Sequence, residues 1–503
     1  MSFFFGDGFD VYSANTDPIG YWDSALALTN LAFAAGRFSG SRALNINTTG
    51  SGYVKSSGQN DAVHHLVFSI YENQTVSGTS GALYFAFSDG ATAQCTVQFT
   101  SGGNLILQSG GVGGTVLATY TGAIAAQATW YAFEIEVVIS NTAGSIAVRK
   151  NGNTVNDFFL GGLNTRVSAN NYANKITMGM QFNNNFLVDD ILWRSDATSG
   201  SGQAAWVGDV RCYTRMPAAD VTTQFIRQPT TLPVFSSTGI TTSGGPAANT
   251  IWYYPITATT TNTVASLSMY LINVVTGNVN MALYDSSGAA GAPGNLIATC
   301  NALTNPVGGS GILQTFTFTT PPTVTKGVKY WIAYYGNAAL TIQGDIGIAA
   351  GVDFSQAFTY TGSFPATATP VALGSHSGGS YVGMNVTAFG YQLVSESQQD
   401  GATTYIYDSN IGDADMYGIS ALAASPATTL GVVTRAFAQK SDAGTRGACV
   451  QMKSGGTTVQ GPAIILGTSW SPLYRVDTVD PATSAAWSAA AVNNLQIGVQ
   501  VTA

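Results

Sequence analysis

Charge is what this 503-residue chain has least of: Asp, Glu, Lys and Arg make up 9% of it, against roughly 25% in ordinary soluble domains. Its surface must therefore be covered by neutral amides and hydroxyls, as suits extracellular and multi-subunit proteins. Its 18 basic side chains are outnumbered by 26 acidic ones and nowhere cluster, so a row of phosphates would meet no matching row of cations. Nucleic-acid binding is not expected. No apolar run approaches the ~20 residues that span a bilayer. Phe3-Phe4-Phe5 is too short, and too soon followed by Asp7 and Asp10, for an export signal. Neither membrane insertion nor conventional secretion is expected. Histidine is scarce: with His64, His65 and His376 alone, catalytic triads and histidine-rich metal centres have little to draw on. The four cysteines, Cys95, Cys212, Cys300 and Cys449, form no CxxC pair and are expected as reduced, mostly buried thiols. No P-loop, HExxH or GxSxG pattern stands out.

What is present in quantity is the material of β-structure. Hydrophobic residues are 45% of the chain and aromatics 11%. Their spacing has period two, broken by Gly, Asn, Asp or Ser about every 8–12 residues, as in Ala62–Tyr71, Ala82–Phe87 and Gln94–Phe99. An all-β chain is expected. Helical candidates are confined to Ser24–Ala35 and Pro481–Asn494. The length exceeds what one core usually organises, so several sandwich domains are expected.

The stretch Trp130–Val137 alternates, Asn141–Gly144 reads as a turn, and Ser145–Lys150 alternates again before Asn151-Gly152. This long hairpin resembles that of the concanavalin-like jelly roll of laminin-G and lectin-type domains, and Phe186–Trp193 resembles the family's closing strand. The opening Phe5-Gly6-Asp7-Gly8-Phe9-Asp10-Val11-Tyr12, Asp189-Asp190 and Gly208–Pro217 resemble a group of bacteriophage tail and virion proteins. Asp442–Arg446, Lys453–Gly456, Asp477–Pro481, Trp487 and Gly498-Val499 resemble the C-terminal portion of the same group. Between these regions composition shifts at Pro229–Pro233. The expected domains are a jelly roll over 1–225, an inserted sandwich over 226–390 and a C-terminal sandwich over 391–503. Within the insert, Val279–Asp285, Gly291–Ala298 and Gly327–Tyr334 resemble a sandwich of extracellular, carbohydrate-associated proteins.

Glu134 and Glu136, two residues apart on a strand, point to one face about 7 Å apart, between the two glycosidase spacings. The longer acidic motif of the glucanases of this fold is missing, because Val137, Val138 and Ile139 follow. A solvated strand face opposite buried Phe133, Ile135 and Val137 is expected, and no enzymatic activity. Adjacent His64 and His65 face opposite sides, one expected packed and the other exposed. The laminin-G resemblance implies calcium as the one plausible cofactor, with Asp7, Asp10, Asp189 and Asp190 as candidate ligands; capping of turns is the alternative. Asp408, Asp413 and Asp415, around Gly412, pose the same choice. Trp252, Tyr254 and Trp331 are candidates for stacking on a glycan, although alternation would bury about half of the runs Trp252–Tyr254 and Tyr330–Tyr335.

The resemblance implies a non-enzymatic virion structural protein of tail fibre, collar or capsid surface, lectin-like and built to meet other virion proteins. Folding in the host cytoplasm and release by lysis would reconcile a neutral polar surface with the missing export signal. A homo-oligomer, in first place a homotrimer, and contact with a host-surface glycan are the expected partnerships. Glycan-binding receptor recognition, and behind it polysaccharide depolymerisation, are the alternatives.

Overall fold

The computed structural model describes residues 3–28, 31–72, 82–100, 102–182, 185–199, 205–229, 231–235, 242–273, 275–308, 312–344, 351–374, 382–396, 400, 403–422 and 426–503. His376 lies outside them. Chain contacts divide the protein into two compact units: 1–226 with 390–402 and 407–503, and 227–389 with 403–406.

The first unit begins with a sandwich of antiparallel strands: β1 (Phe3–Asp7), β2 (Ser24–Ala25), β3 (Leu31–Ala35), β4 (Arg42–Ile46), β5 (Gly52–Asp61), β6 (Val63–Glu72), β7 (Ala82–Asp89), β8 (Thr92–Thr100), β9 (Leu105–Ser109), β10 (Val116–Tyr120), β11 (Trp130–Val138), β12 (Gly144–Lys150), β13 (Phe158–Leu163), β14 (Ala173–Met180) and β15 (Phe186–Asp196). One sheet runs β13-β12-β11-β6-β15-β4-β3, with β1 also on β15; the other runs β10-β9-β8-β7-β14-β5-β2. Period-two alternation explains the core between them. On β11, Phe133, Ile135 and Val137 point inward, and across the sandwich they meet the layer that includes Phe85, Phe87, Val97 and Phe99. The expected β11–β12 hairpin is present, paired from Phe133↔Lys150 to Val138↔Ser145. Asn151 and Gly152, both at positive φ, follow it. The all-β, lectin-like jelly-roll reading of this region holds.

A helix over Ser24–Ala35 is not formed by its described residues: Ser24–Ala25 and Leu31–Ala35 are strands, the latter paired residue for residue with Arg42–Ile46, and the alanines' helix preference yields to cross-strand packing. The other helical candidate shrinks to one turn, Ala489–Asn493, capped by the Ser488 hydroxyl accepting from Ala491 N.

The rest of the first unit includes an antiparallel sheet ordered Pro217–Thr222 (β16), Ala414–Ile419, Gln496–Val501, Gly447–Ser454, Thr457–Gln460, and a two-stranded ribbon of Val432–Ala438 with Ser471–Asp477. The sheet's first strand comes from the N-terminal side of the insert. Two carboxylates, Asp415 buried and Asp220 half-buried, hold the chain where it leaves and returns. Asp415 accepts from the amides of Gln224 (2.5 Å) and Phe225 (2.9 Å) and from the Tyr417 hydroxyl (2.9 Å). Asp220 accepts from the amides of Gly390 and Tyr391. Asp415→Ala strands two amides and a phenol, and is expected to cost roughly 2–4 kcal/mol. Guanidinium melts followed by tryptophan fluorescence would read the loss, with Asp415→Asn, which keeps one acceptor, falling between.

The second unit stacks two further antiparallel sheets. One includes Asn262–Leu271 and Val382–Thr387; the other includes Thr250–Thr257, Asn278–Tyr284 and Lys329–Gly336. Their facing layers bury Leu267, Met269, Met281, Ile332 and Met384. The second sheet is covered on its other side too, where Tyr253, Tyr284, Trp331 and Tyr335 pack with Phe364.

Candidate functional site

The chemistry-bearing side chains converge on the outer face of the β6–β11–β15 sheet, where Ser199 and residues 205–212, which follow β15, cross it as a strap. Strand pairing sets the row: Glu136 of β11 lies opposite His65 of β6, and His65 opposite Arg194 of β15. Glu134 occupies the same face of β11. His65 Nε2 is 2.9 Å from Glu136 Oε2, and its Nδ1 3.5 Å from Glu134 Oε1.

This face is not solvated. Glu134 is 2% exposed, Glu136 6% and His65 0%, because the strap covers them. Glu134 accepts from the amides of Val207 and Gly208, each at 2.7 Å. The Ser199 hydroxyl donates to Glu136 at 2.7 Å, and Arg194 donates to the Ala205 carbonyl at 2.6 Å. Trp206 sets its ring edge-on to His65, with centroids 4.9 Å apart, and Arg149 lies 4.0 Å from the Trp206 ring centre. Both expectations of exposure, for the glutamate face and for one of the two histidines, are thereby corrected. A glycosidase needs two carboxyls turned toward a substrate; here both are turned into the strap.

His64 does face the opposite way, into the core. Its Nε2 is 2.9 Å from the Asp61 carbonyl, and the Trp193 indole N–H donates to its Nδ1 at 3.3 Å. These partners fit the neutral ring protonated on Nε2. Burial pushes its pKa down to about 4, with the charge of His65 adding to the effect.

The four aspartates named as calcium candidates hold backbone and ring donors of their own surroundings, and Asp190 alone bonds to the strap. Asp7 is buried and accepts from Phe9 N, from the Tyr12 hydroxyl and from the Trp22 indole. Burial raises its pKa against the opposing charge of Arg435. Asp10 accepts from Arg42 N. Asp189 accepts from the amides of Arg37 and Asp190. Asp190 sits at positive φ in a bulge of β15 and accepts from Cys212 N at 2.8 Å; its other oxygen, Oδ2, is buried without a hydrogen-bond partner. Burial pushes Asp189 up to about 6 and Asp190 up to about 8; Asp10 adds its charge against Asp189, and Asp189 its charge against Asp190. Among the described residues no three His, Cys, Asp or Glu side chains are grouped to hold a metal ion.

Gly8 explains the Gly-Asp-Gly of the opening segment. A Cβ there would lie 2.1 Å from the Cys212 carbonyl oxygen, so only glycine lets the strap pass this close. Arg37 pairs with Asp209 on the strap, and Arg211 lies over the rings of Phe38 and Tyr213. From the C-terminal part, Arg435 covers the Tyr21 ring at 4.1 Å and donates to the Tyr12 hydroxyl. Hence Phe5–Tyr12, Asp189-Asp190 and Gly208–Cys212 meet in one cluster.

The remaining candidates lie elsewhere. Asp408, Asp413 and Asp415 bond to nearby amides and side chains, Asp408 to Ser409 N and Asn410 N, and Asp413 to Asn410 and Gln224. Tyr254 and Trp331 are buried in the two cores of the second unit and offer no free ring face to a sugar, a correction that follows from cover on both sides of their sheet. Trp252 stays partly exposed. The four cysteines are free thiols, three buried and Cys212 partly so. Sequence reasoning missed Arg194, Ser199, Trp206 and Arg435, none of which sits in a recognisable pattern.

No protein-family model matches the sequence, and no curated protein matches it. Solved structures do. Trypanosoma rangeli sialidase in complex with the inhibitor DANA is 16% identical over 35% of this chain, with a TM-score of 0.25. A galectin of Caenorhabditis elegans is 14% identical over 33% of this chain and 97% of its own, with a TM-score of 0.20. A Shewanella oneidensis protein of unknown function is 10% identical over 42% of this chain and 90% of its own, with a TM-score of 0.29. The chain spans 28% of the sialidase's length.

Proposed function

We propose that this chain is a non-enzymatic structural component of a bacteriophage virion, carried on the tail, collar or head surface and displaying lectin-like sandwiches to the outside. One observation carries the reading. Three of the segments that resemble phage virion proteins, Phe5–Tyr12, Asp189-Asp190 and Gly208–Pro217, distant in sequence, meet where Gly8 and Asp190 both approach Cys212, and Glu134 of β11 holds the same strap through the amides of Val207 and Gly208. Such a junction fixes a shape. It turns Glu134 and Glu136 into the strap and not toward a substrate, which favours a structural role over a depolymerase built on that pair.

Other virion proteins and identical copies are the partners of this reading. A second reading, glycan recognition by the second unit, is favoured by Trp252, which packs against the core yet stays partly exposed.

Cryo-EM of purified particles of the encoding phage tests the proposal. Ordered density matching both sandwiches on tail, collar or capsid is the expected result. Particles without this chain would overturn it and turn attention to a soluble glycan binder, for which loss of glycan-array signal in Trp252→Ala is the decisive readout.

A further inference from the structure

An edge strand can take up another chain, because one side of its backbone has no partner strand. Among the described residues β13 ends its sheet and pairs with β12 alone. Its sequence, Phe158-Phe159-Leu160-Gly161-Gly162-Leu163, has neither a charge nor a proline, two of the devices that usually guard an edge. The strand is firmly seated: it is in register with β12 from Phe158↔Val148 to Gly161↔Ser145, and Phe158 stacks on Tyr120 with ring centres 5.5 Å apart. Yet Phe159 is 61% exposed, Leu160 40% and Val155, just before the strand, 72%. Three large apolar side chains along a seated, open edge are a surface built for cover.

We infer that β13 is a self-association surface, which takes β13 of a second copy antiparallel about a two-fold axis, so that the two sheets run on as one. This goes beyond the virion reading and does not depend on it. Three features of the strand select a second copy as the occupant.

The first is register. Directly opposed residues of an antiparallel pair lie on the same sheet face, so a two-fold axis must pass through a residue position. Centring it on Leu160 sets Leu160 against its own copy and Phe159 against the partner's Gly161. The large side chain then faces one with none. The two Phe159 rings fall on the same face as diagonal neighbours, about 7–8 Å apart along the backbone, within reach of aromatic contact.

The second is charge. Asp157 precedes the strand and Arg166 follows it. Antiparallel pairing lays each copy's acidic end toward the other's basic end, whereas parallel pairing would align like with like.

The third is the bulge at Gly162, where the β12–β13 register shifts between Gly144 and Ser145 and φ is +75°. With the axis on Leu160, it limits regular pairing to Phe159–Gly161, short enough to end at two copies and not to propagate. A two-fold contact closes on itself as a dimer; a trimer would need a different surface.

Sedimentation or light scattering of the full chain between about 1 and 100 µM tests this. The wild type is expected to approach twice the 52.1 kDa monomer mass. Leu160→Lys, which sets two ammonium groups face to face on the axis, is expected to weaken association at least tenfold with an unchanged circular dichroism spectrum. Leu160→Cys should form a disulfide-linked dimer under mild oxidation that the wild type, with its own four thiols, does not form. A wild type that stays at 52.1 kDa throughout, or an oligomer of any order that Leu160→Lys leaves intact and Leu160→Cys fails to cross-link, overturns the inference.

Discussion

Replacing Glu134 by alanine is expected to cost roughly 3–5 kcal/mol and to free the strap from the sheet. The magnitude follows from what the carboxylate leaves behind. Val207 N and Gly208 N lose their acceptor in a buried setting, and Arg194, 3.7 Å away, loses its nearby countercharge. Removing one member of a buried ionic cluster is dearer than never having built it, because the others stay desolvated. Hydrogen exchange separates local release from global unfolding. In the variant the amides of Val207 and Gly208 should exchange far faster, while the core strands β7 and β8 keep their relative protection. Unchanged protection of the two strap amides would mean that the strap is held by Trp206, Arg149 and the Arg37–Asp209 pair without Glu134. Glu134→Gln keeps one acceptor and should lie in between.

The same residue marks how far the sequence could be read. Alternation placed Glu134 and Glu136 on one face of a strand and Phe133, Ile135 and Val137 on the other, and the structure agrees. Local pattern says nothing about cover. The strap that buries the glutamates lies about seventy residues downstream in a stretch with no periodicity, so neither its path nor its two amide donors could be anticipated. The histidine pair shows the same limit: alternation puts His64 and His65 on opposite faces, as found, but both are buried, His65 beneath the distant strap.

Where long-range pairing competed with local preference, pairing won. Ser24–Ala35 is rich in alanine and leucine and reads as a short helix, yet β3 is fixed by β4 through five consecutive residue pairs. The Trp130–Lys150 hairpin was legible because its strands are long, its alternation is clean and its turns carry glycine and asparagine. The aromatic runs of the second unit show the opposite limit. Alternation leaves one side of a strand for solvent or for a ligand, but residues around Phe354–Phe364 cover that side, and Trp331 becomes core.

Asp190→Asn is expected to stabilise the protein at alkaline pH. Asp190 ordinarily titrates near 3.8; burial, joined by the charge of Asp189, moves it up to about 8 in the fold. Between pH 4 and 8 the folded chain therefore holds a proton that the unfolded chain releases, and stability falls as pH climbs through that window. Asparagine is neutral throughout. It can keep the acceptor for Cys212 N, and it tolerates the positive φ at this bulge. Each pKa unit is worth about 1.4 kcal/mol, and an amide group with no partner at the Oδ2 position costs roughly 1–3 kcal/mol at every pH, so the substitution is expected to be neutral to slightly destabilising at pH 4 and stabilising by roughly 2–4 kcal/mol at pH 9. His64 tilts the raw profile the other way. Its folded pKa is lowered to about 4, so the unfolded chain binds the extra proton between pH 4 and 6.5, and stability falls as pH drops through that window. The difference between wild type and Asp190→Asn cancels the His64 contribution. If that difference, measured by denaturant melts at pH 4, 6.5 and 9, does not grow with pH, Asp190 is already charged in the fold, and its unpartnered oxygen has found a cation or a water to face.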